Sequence, residues 1–414
     1  ARQPGTVAVA RANPGRVAAA RALVEVDAGA HVEDVLARSA PDGADRALAW
    51  HLALGVLRRR GAVDALLAPH LKRPLDRVDP PVRAVLRAGT FELALSRTPR
   101  HAAVSQAVEV ARRLRAGRAS GFVNAVLRRV DPGALSDDPL IDVPAWLADR
   151  WRGAGAWLAR TREAAPLCGV WRDPDEPVSA LGARPVGLGR GPDARAVPGA
   201  FTVPNADGPV DRLPGFADGR WWVMDPAAAA VADLLLGSLG GGRRVLDACA
   251  APGGKSLRLA SRGAEVTAVD ASAARLARAG EGSQRTGLPL HRVVHDWLDG
   301  PHPDLGTFDG VLVDAPCTGL GTIRRHPEIK WRRGPSDPAA MGVRQRAVLE
   351  GAAAHVAPDG VLVYAVCSPM EEEGRAVADA LDGWTVTESL VTFPPAGDED
   401  AFQAFVLRRS PGAR

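Results

Sequence analysis

Cysteine, lysine and long apolar runs are all scarce in this 414-residue chain. Four cysteines (Cys168, Cys249, Cys317 and Cys367) are too few for a disulfide framework, and with no CxxC pair they do not suit a zinc site. Reduced thiols and no metal are therefore expected. No apolar run reaches the roughly 18 residues of a membrane span. The opening ARQPGTVAVARANPGR lacks the apolar core of a secretion signal, so a cytoplasmic protein with no membrane partner is expected. Lysine stands only at positions 72, 255 and 330, where arginine otherwise supplies the strong positive charge.

A chain of this length with 46% hydrophobic residues has material for two or three cored domains. Its net charge of +4 is unevenly spread. Residues 1–132 carry 22 Arg and Lys against 12 Asp and Glu, while the rest carries 30 against 36. Such asymmetry points the N-terminal part toward a polyanion, although arginine-rich helices can also serve solubility alone.

From Pro14 to about Val130, apolar residues recur at helical spacing in RVAAARALVEV, DRALAWHLALGVLRRR, PPVRAVLRAGTFELAL, HAAVSQAVEVARRL and SGFVNAVLRRV. Gly61, Pro80-Pro81, Pro99 and Gly117 read as breaks, which predicts a bundle of about five or six short helices. Residues 133–215 mix Trp146, Trp151, Trp157 and Trp171 with Pro, Gly and Asp, and read as a small α+β domain. Over 216–410 helical and strand-like segments alternate, predicting a doubly wound α/β sheet with ligands at the carboxyl ends of its strands.

Two of the four cysteines fall at such ends. VDAPCTGLGTIRRHPEIKW puts Cys317 after the strand FDGVLVD, and VLVYAVCSPMEEE puts Cys367 after the next one. A third strand end, VLDACAAPGGKS, is strand, turn and helix start. A phosphate-binding loop would need glycine where Cys249 stands, and the GxGxxG of a dinucleotide site is absent. An S-adenosylmethionine loop remains, formed by Cys249, Ala250, Ala251, Pro252, Gly253, Gly254 and Lys255. Asp270 closes the next strand, about twenty residues on, where a carboxylate can accept from ribose hydroxyls. Asp296 closes the one after and is placed to meet an adenine amine. A helix N-cap is the simpler reading of any single such Asp.

DACAAPGGKS, DAPCTGLGTIRRHPEIKW and YAVCSPMEEEG resemble the motifs of the Sun-type RNA cytosine-C5 methyltransferases. GVLRRRGAVDALLAPHLKRPLDRVDPPVRAVLRAGTFELAL and the segments after it resemble the NusB-like domain of the bacterial RsmB (Fmu/Sun) branch, which acts on 16S ribosomal RNA. The resemblance covers about three quarters of the chain. It implies a NusB-like helical RNA-binding domain (14–132), a small α+β domain (133–215) and a Rossmann-like class I S-adenosylmethionine-dependent methyltransferase (216–410). It further implies a monomer that meets its RNA free or in an early assembly particle.

Carbon 5 of cytosine attacks a methyl sulfonium poorly unless a thiolate first adds at carbon 6. Carried over from the family, Cys367 is that nucleophile and Cys317 assists release. Lys255 would favour the thiolate, and Asp314 would meet the cofactor and the N3/N4 edge of the base. Arg324, Arg325, His326 and Lys330, with Trp331, are expected to hold RNA phosphate beside the crevice. Cys249 and Cys168 suit packing at least as well as chemistry.

The chain departs from the family pattern at Val366, where threonine is usual, and in the weak middle motif APLCGVWRDPDEP. It departs again at Ala401 and Gln403, expected to lie away from the reaction centre. Three rival readings remain: the same chemistry on another RNA such as tRNA, a non-catalytic NusB-like antitermination factor, and a DNA enzyme with a single Pro-Cys thiol.

Overall fold

Apolar stripes broken by Pro, Gly and turn residues become seven α-helices among the described residues of the first third of the chain. They span Pro14–Asp27, Val32–Ser39, Ala44–Arg58, Arg60–Leu67, Pro80–Leu95, Arg100–Arg113 and Ser120–Leu127. The computed structural model describes residues 11–189, 194–204, 206 and 208–411. It divides into two compact units. One comprises the described residues up to Ala164 together with Ile323–Arg333; the other comprises Ala165–Thr322 and the chain from Gly334 onward. Among the described residues, no helix is long and apolar enough to cross a membrane.

The helical unit has more helices than its periodicity predicts. Val32–Ser39 spans just two turns with three buried apolar residues, too short a repeat to register. The break before Arg60–Leu67 falls at Arg59, not at Gly61. Gly61 lies inside that helix, where glycine is needed because a Cβ would sit 1.6 Å from the carbonyl oxygen of Ile141.

Pro80–Leu95 is buried on most of its circumference, so its charged residues need partners. Arg87 pairs with Asp64 (2.8 Å) and Asp27 (3.1 Å), and Glu92 with Arg16 (2.6 Å).

Residues 133–164 also belong to this unit, not to a separate middle domain. Their anchor is Asp142, whose Oδ2 accepts from Arg59 Nε (2.9 Å) and Arg162 Nε (2.8 Å) while Oδ1 accepts from Ala62 N (3.0 Å). Trp151 and Trp157 pack edge to face at 5.2 Å. The chain returns much later, when Ile323–Arg333 packs into the same unit.

The second unit contains two sheets. β1 (Leu167–Trp171), β2 (Arg184–Leu188), β3 (Arg195–Val203) and β4 (Trp221–Val223) form an antiparallel sheet in the order β2-β3-β1-β4. Trp171 stacks on Phe201 at 4.0 Å. The four middle tryptophans therefore split, with Trp171 serving a different core from Trp151 and Trp157.

The larger sheet contains β5 (Arg244–Asp247), β6 (Glu265–Asp270), β7 (His291–Val294), β8 (Phe308–Asp314), β9 (Val356–Val366), β10 (Trp384–Val391) and β11 (Gln403–Arg409), in the order β10-β11-β9-β8-β5-β6-β7. β9, β8, β5, β6 and β7 run parallel, while β11 pairs antiparallel with β9 and β10. β8 and β9 read as near-continuous apolar runs because both faces are covered. Helices Pro226–Ser238, Gly254–Ser261, Ala273–Thr286 and Asp337–Ala353 complete the alternation predicted from the sequence.

Candidate active site

The parallel pairing of β8 with β9 sets Asp314 opposite Ala365, so both strands end side by side. Cys317 lies three residues past the end of β8 and Cys367 one residue past that of β9. Their Sγ atoms are 3.2 Å apart, both as free thiols. Fifty residues of sequence separation vanish because the order places β8 and β9 as neighbours.

Both thiols line a cavity of about 280 Å³ at the carboxyl edge of the sheet, shared with Cys249, Asp270, Asp296 and Asp314. The contact with Cys317, together with burial and the nearby Asp314, pushes the Cys367 thiol well up from its ordinary pKa, against the pull of Lys255. Cys249 is likewise pushed up, by burial first and then by Asp247, Asp314 and Asp270.

Lys255 donates from Nζ to Asp314 Oδ2 at 2.6 Å and sits 5.2 Å from the ring centre of Phe402. Burial pulls its pKa down, but Asp314 more than offsets this and holds it raised. Behind it, burial pushes Asp247 up to about 7, although Ser256 Oγ donates to it at 2.6 Å.

The glycine turn is shaped from below. Ala250 N donates to Val269 O (2.8 Å), and Ala251 N donates to Asp270 Oδ2 (3.2 Å). Pro252 precedes Gly253, which has φ +110°. A Cβ on Gly253 would lie 2.8 Å from Ala279 of the helix Ala273–Thr286, so glycine is required twice over. Gly254 begins Gly254–Ser261, and its carbonyl accepts from Trp222 Nε1 at 3.2 Å. Asp270 also accepts from Ser272 N (2.9 Å), and Asp296 caps a short turn by accepting from Leu298 N (3.1 Å).

Sequence reasoning missed Arg275, Trp297 and Arg344, which line the same cavity. Trp297 directly follows Asp296, a readable signal, and its Nε1 donates to Ala248 O at 2.6 Å. Arg275 and Arg344 lie on helices among many arginines and had no distinguishing signal. Gln403 corrects the expectation of a remote departure: its Nε2 donates to Ser368 O (2.8 Å) and Met370 O (2.9 Å), gripping the loop after Cys367. Ala401 also reaches that region, its N donating to Gly321 O at 3.1 Å.

Arg324, Arg325, His326 and Lys330 belong to the helical unit. Lys330 is fully buried and donates to Arg58 O at 3.1 Å, while Trp331 Nε1 donates to Leu57 O at 2.8 Å. Burial pulls Lys330 down to about 7. Arg324 is buried and reaches Ala164 O (3.4 Å); Arg325 is half-buried; His326 faces Glu33 at 3.6 Å. The phosphate contact expected of Lys330 is thereby corrected, since a fully enclosed ammonium cannot meet an RNA backbone.

A seven-stranded sheet in this order, with a glycine turn and carboxylates at its carboxyl edge, defines a Rossmann-like S-adenosylmethionine-dependent methyltransferase. Residues 238–404 match the family model described as 16S rRNA methyltransferase RsmB/F, and residues 13–132 match the NusB family. The chain is 39% identical over 377 residues to the ribosomal RNA small subunit methyltransferase B of Thermus thermophilus, covering 89% of this chain and 87% of that protein. Its likeness to the protein of the same name from Xanthomonas campestris is 36% over 391 residues, 88% and 86% of the two chains. The crystal structure of PH0851 shares the fold, with a TM-score of 0.74 at 21% identity over 96% of this chain and 99% of that one. The chain belongs to the RsmB/F family of S-adenosylmethionine-dependent RNA methyltransferases.

Proposed function

We propose that this protein methylates carbon 5 of a cytosine in 16S ribosomal RNA through a covalent adduct with Cys367. The observation that carries this reading is the thiol pair, 3.2 Å apart in the cavity that also holds Asp270, Asp296 and Asp314. Cys367 Sγ adds to carbon 6 while its proton passes to N3 of the base beside Asp314, leaving carbon 5 electron-rich enough to take the methyl group that S-adenosylmethionine supplies. Cys317 then assists removal of the carbon 5 proton, the carbon 5–carbon 6 double bond re-forms, and the bond to Cys367 Sγ breaks as the N3 proton returns to that sulfur. Asp314, held by Lys255, faces the N3/N4 edge of the base. A bisulfite map of 16S RNA from a strain lacking the protein should show one 5-methylcytosine lost, and an unchanged map would overturn the reading.

The cavity fits the cofactor in its chemistry. The Cys249–Lys255 turn approaches closely without side chains at Gly253 and Gly254, and Asp270 and Asp296 offer acceptors at successive strand ends. Asp270→Ala should weaken S-adenosylmethionine binding about tenfold or more, through lost charged hydrogen bonds to ribose. It also removes the acceptor for Ala251 N. Calorimetry giving unchanged affinity would place the ribose elsewhere.

RNA contact is assigned to a groove of about 860 Å³ in the helical unit, lined by Arg11, Arg21, Arg112, Arg113 and Arg115. Arg115 holds φ at +61°, a left-handed position where glycine usually closes a helix. Retaining a side chain there costs on the order of 1 kcal/mol, which favours a use for the guanidinium. Replacing Arg112 and Arg115 with Glu should weaken RNA binding and flatten its salt dependence, since fewer counterions are released.

Lys330→Met should leave that slope unchanged and act on stability instead. The folded pKa of Lys330, near 7, lies below the ordinary value of 10.5. The unfolded chain therefore binds the extra proton between those values, and wild-type stability should rise across that window by up to about 1.4 kcal/mol per pH unit. Thermal melts from pH 7 to 10 should show the rise in the wild type and a flatter curve in the variant.

A further inference from the structure

Behind the two thiols lies a buried carboxylate that no step above uses. Of the three glutamates in MEEE, only Glu373 is fully buried. Its Oε1 accepts from Thr318 N (2.6 Å) and Gln345 Nε2 (3.4 Å). Its Oε2 accepts from Thr318 Oγ1 (2.5 Å) and Ser368 Oγ (2.5 Å). Thr318 follows Cys317 and Ser368 follows Cys367, so one side chain holds the residue after each thiol.

Other groups reinforce the clamp. Gln345 Nε2 also donates to Pro316 O (3.0 Å), the residue before Cys317, and Tyr364 Oη donates to the Glu373 carbonyl. We propose that Glu373 is a positioning residue for methyl transfer, holding the two cysteine loops so that Cys367 and Cys317 reach the same base in turn. This inference rests on the two-thiol reading given above.

The physical argument is one of expense and convergence. A buried carboxylate is costly unless donors surround it, and an apolar side chain would fill the same space without that cost. Here every side-chain donor and the backbone N–H comes from the two cysteine loops or from the helix touching one of them. The backbone bond from Gly321 N to Cys367 O (3.0 Å) brings the loops together, but it does not orient the residues beside the sulfurs. Burial pushes the Glu373 carboxyl up, and the hydroxyl and amide donors pull it back.

The spacing of the sulfurs can be read without RNA. Diamide takes two electrons and two protons from the thiol pair, becoming its hydrazine as the Cys317–Cys367 disulfide forms. With diamide in excess, addition to one thiol is fast and closure by the other follows the effective concentration of one sulfur at the other, so a shift of about 1 Å should slow closure about tenfold or more. Glu373→Ala should show that loss and a similar loss in kcat, with the KM for RNA and S-adenosylmethionine affinity within about threefold of wild type.

Glu373→Gln should restore both rates substantially. Its carbonyl can accept from Thr318 N and Gln345, and its amide can donate to the two hydroxyls once they turn round. If Glu373→Ala does not fold, the Thr318→Val/Ser368→Ala pair, which keeps the carboxylate's backbone contact, should slow crosslinking in its place. Wild-type crosslinking in these variants, or a parallel collapse of cofactor affinity, would overturn the proposal. Failure of the wild type to methylate 16S RNA would instead remove the reading beneath it, because crosslinking needs no RNA.

Discussion

Cys367→Ala is expected to lose methylation by on the order of 10⁴-fold or more while keeping its fold and cofactor affinity, because only the attacking sulfur is removed. Cys317→Ala should behave differently. Its Cys367 still adds to carbon 6 and the methyl group still transfers, but the adduct persists. A protein–RNA complex that survives denaturing electrophoresis and depends on S-adenosylmethionine should accumulate. The electrostatics favour trapping, since the Cys317 contact is the largest influence raising the Cys367 pKa, and its removal eases formation of the thiolate. The Cys367→Ala variant and the double variant should give no complex. Trapping with Cys367→Ala and none with Cys317→Ala would reverse the roles and support the single Pro-Cys mechanism of the DNA enzymes.

The second large effect concerns the helical unit. The +10 charge of residues 1–132 suggests a detachable RNA-binding module, which truncation after residue 132 would remove cleanly. Its packing predicts otherwise. Residues 133–164 and Ile323–Arg333 belong to that unit, and truncation would strip away the helices that cover them. Asp142 would lose Arg59, Lys330 would lose the Arg58 carbonyl, and Trp331 would lose that of Leu57. Buried Leu147, Trp151, Trp157 and Leu158 lie in the remnant. Each large apolar side chain left exposed costs roughly 1.5–3 kcal/mol, so the four together are comparable with the whole usual stability of a domain. A chain beginning at residue 133 should therefore aggregate or melt far below the full protein. A soluble truncated protein with wild-type melting and cofactor affinity would show that the helical unit is dispensable after all. The groove arginines are the cleaner way to separate RNA affinity from folding.

Much of the catalytic unit was legible because its signals are local. β5, β6 and β8 are short apolar runs closed by Asp247, Asp270 and Asp314, and β9 runs into Cys367; each ends where its run predicts. Asp270, Asp314, Cys317 and Cys367 sit at strand ends, so identifying the strands also located them. The helical repeats were legible for the same reason, except for the two-turn Val32–Ser39 and the break at Arg59. The middle stretch resisted division because its tryptophans serve two cores. Nothing local distinguishes Trp157, packed on Trp151, from Trp171, stacked on Phe201.

Motif and period determined the class of this protein: an alternating α/β sheet, a glycine turn after its first strand, two thiols at strand ends and a basic helical region. Tertiary structure decided which charges are usable and which thiols meet. Lys330 reads as an ideal phosphate ligand in GTIRRHPEIKW, yet burial removes it from solvent and depresses its pKa. Glu373 looks like one of three surface glutamates, yet it alone is enclosed by donors from both cysteine loops. Gln403 departs from the family pattern and still grips the loop after Cys367. Sequence periodicity reports which face of an element is apolar. Burial, pKa and the approach of two sulfurs depend on what packs against that face from distant parts of the chain.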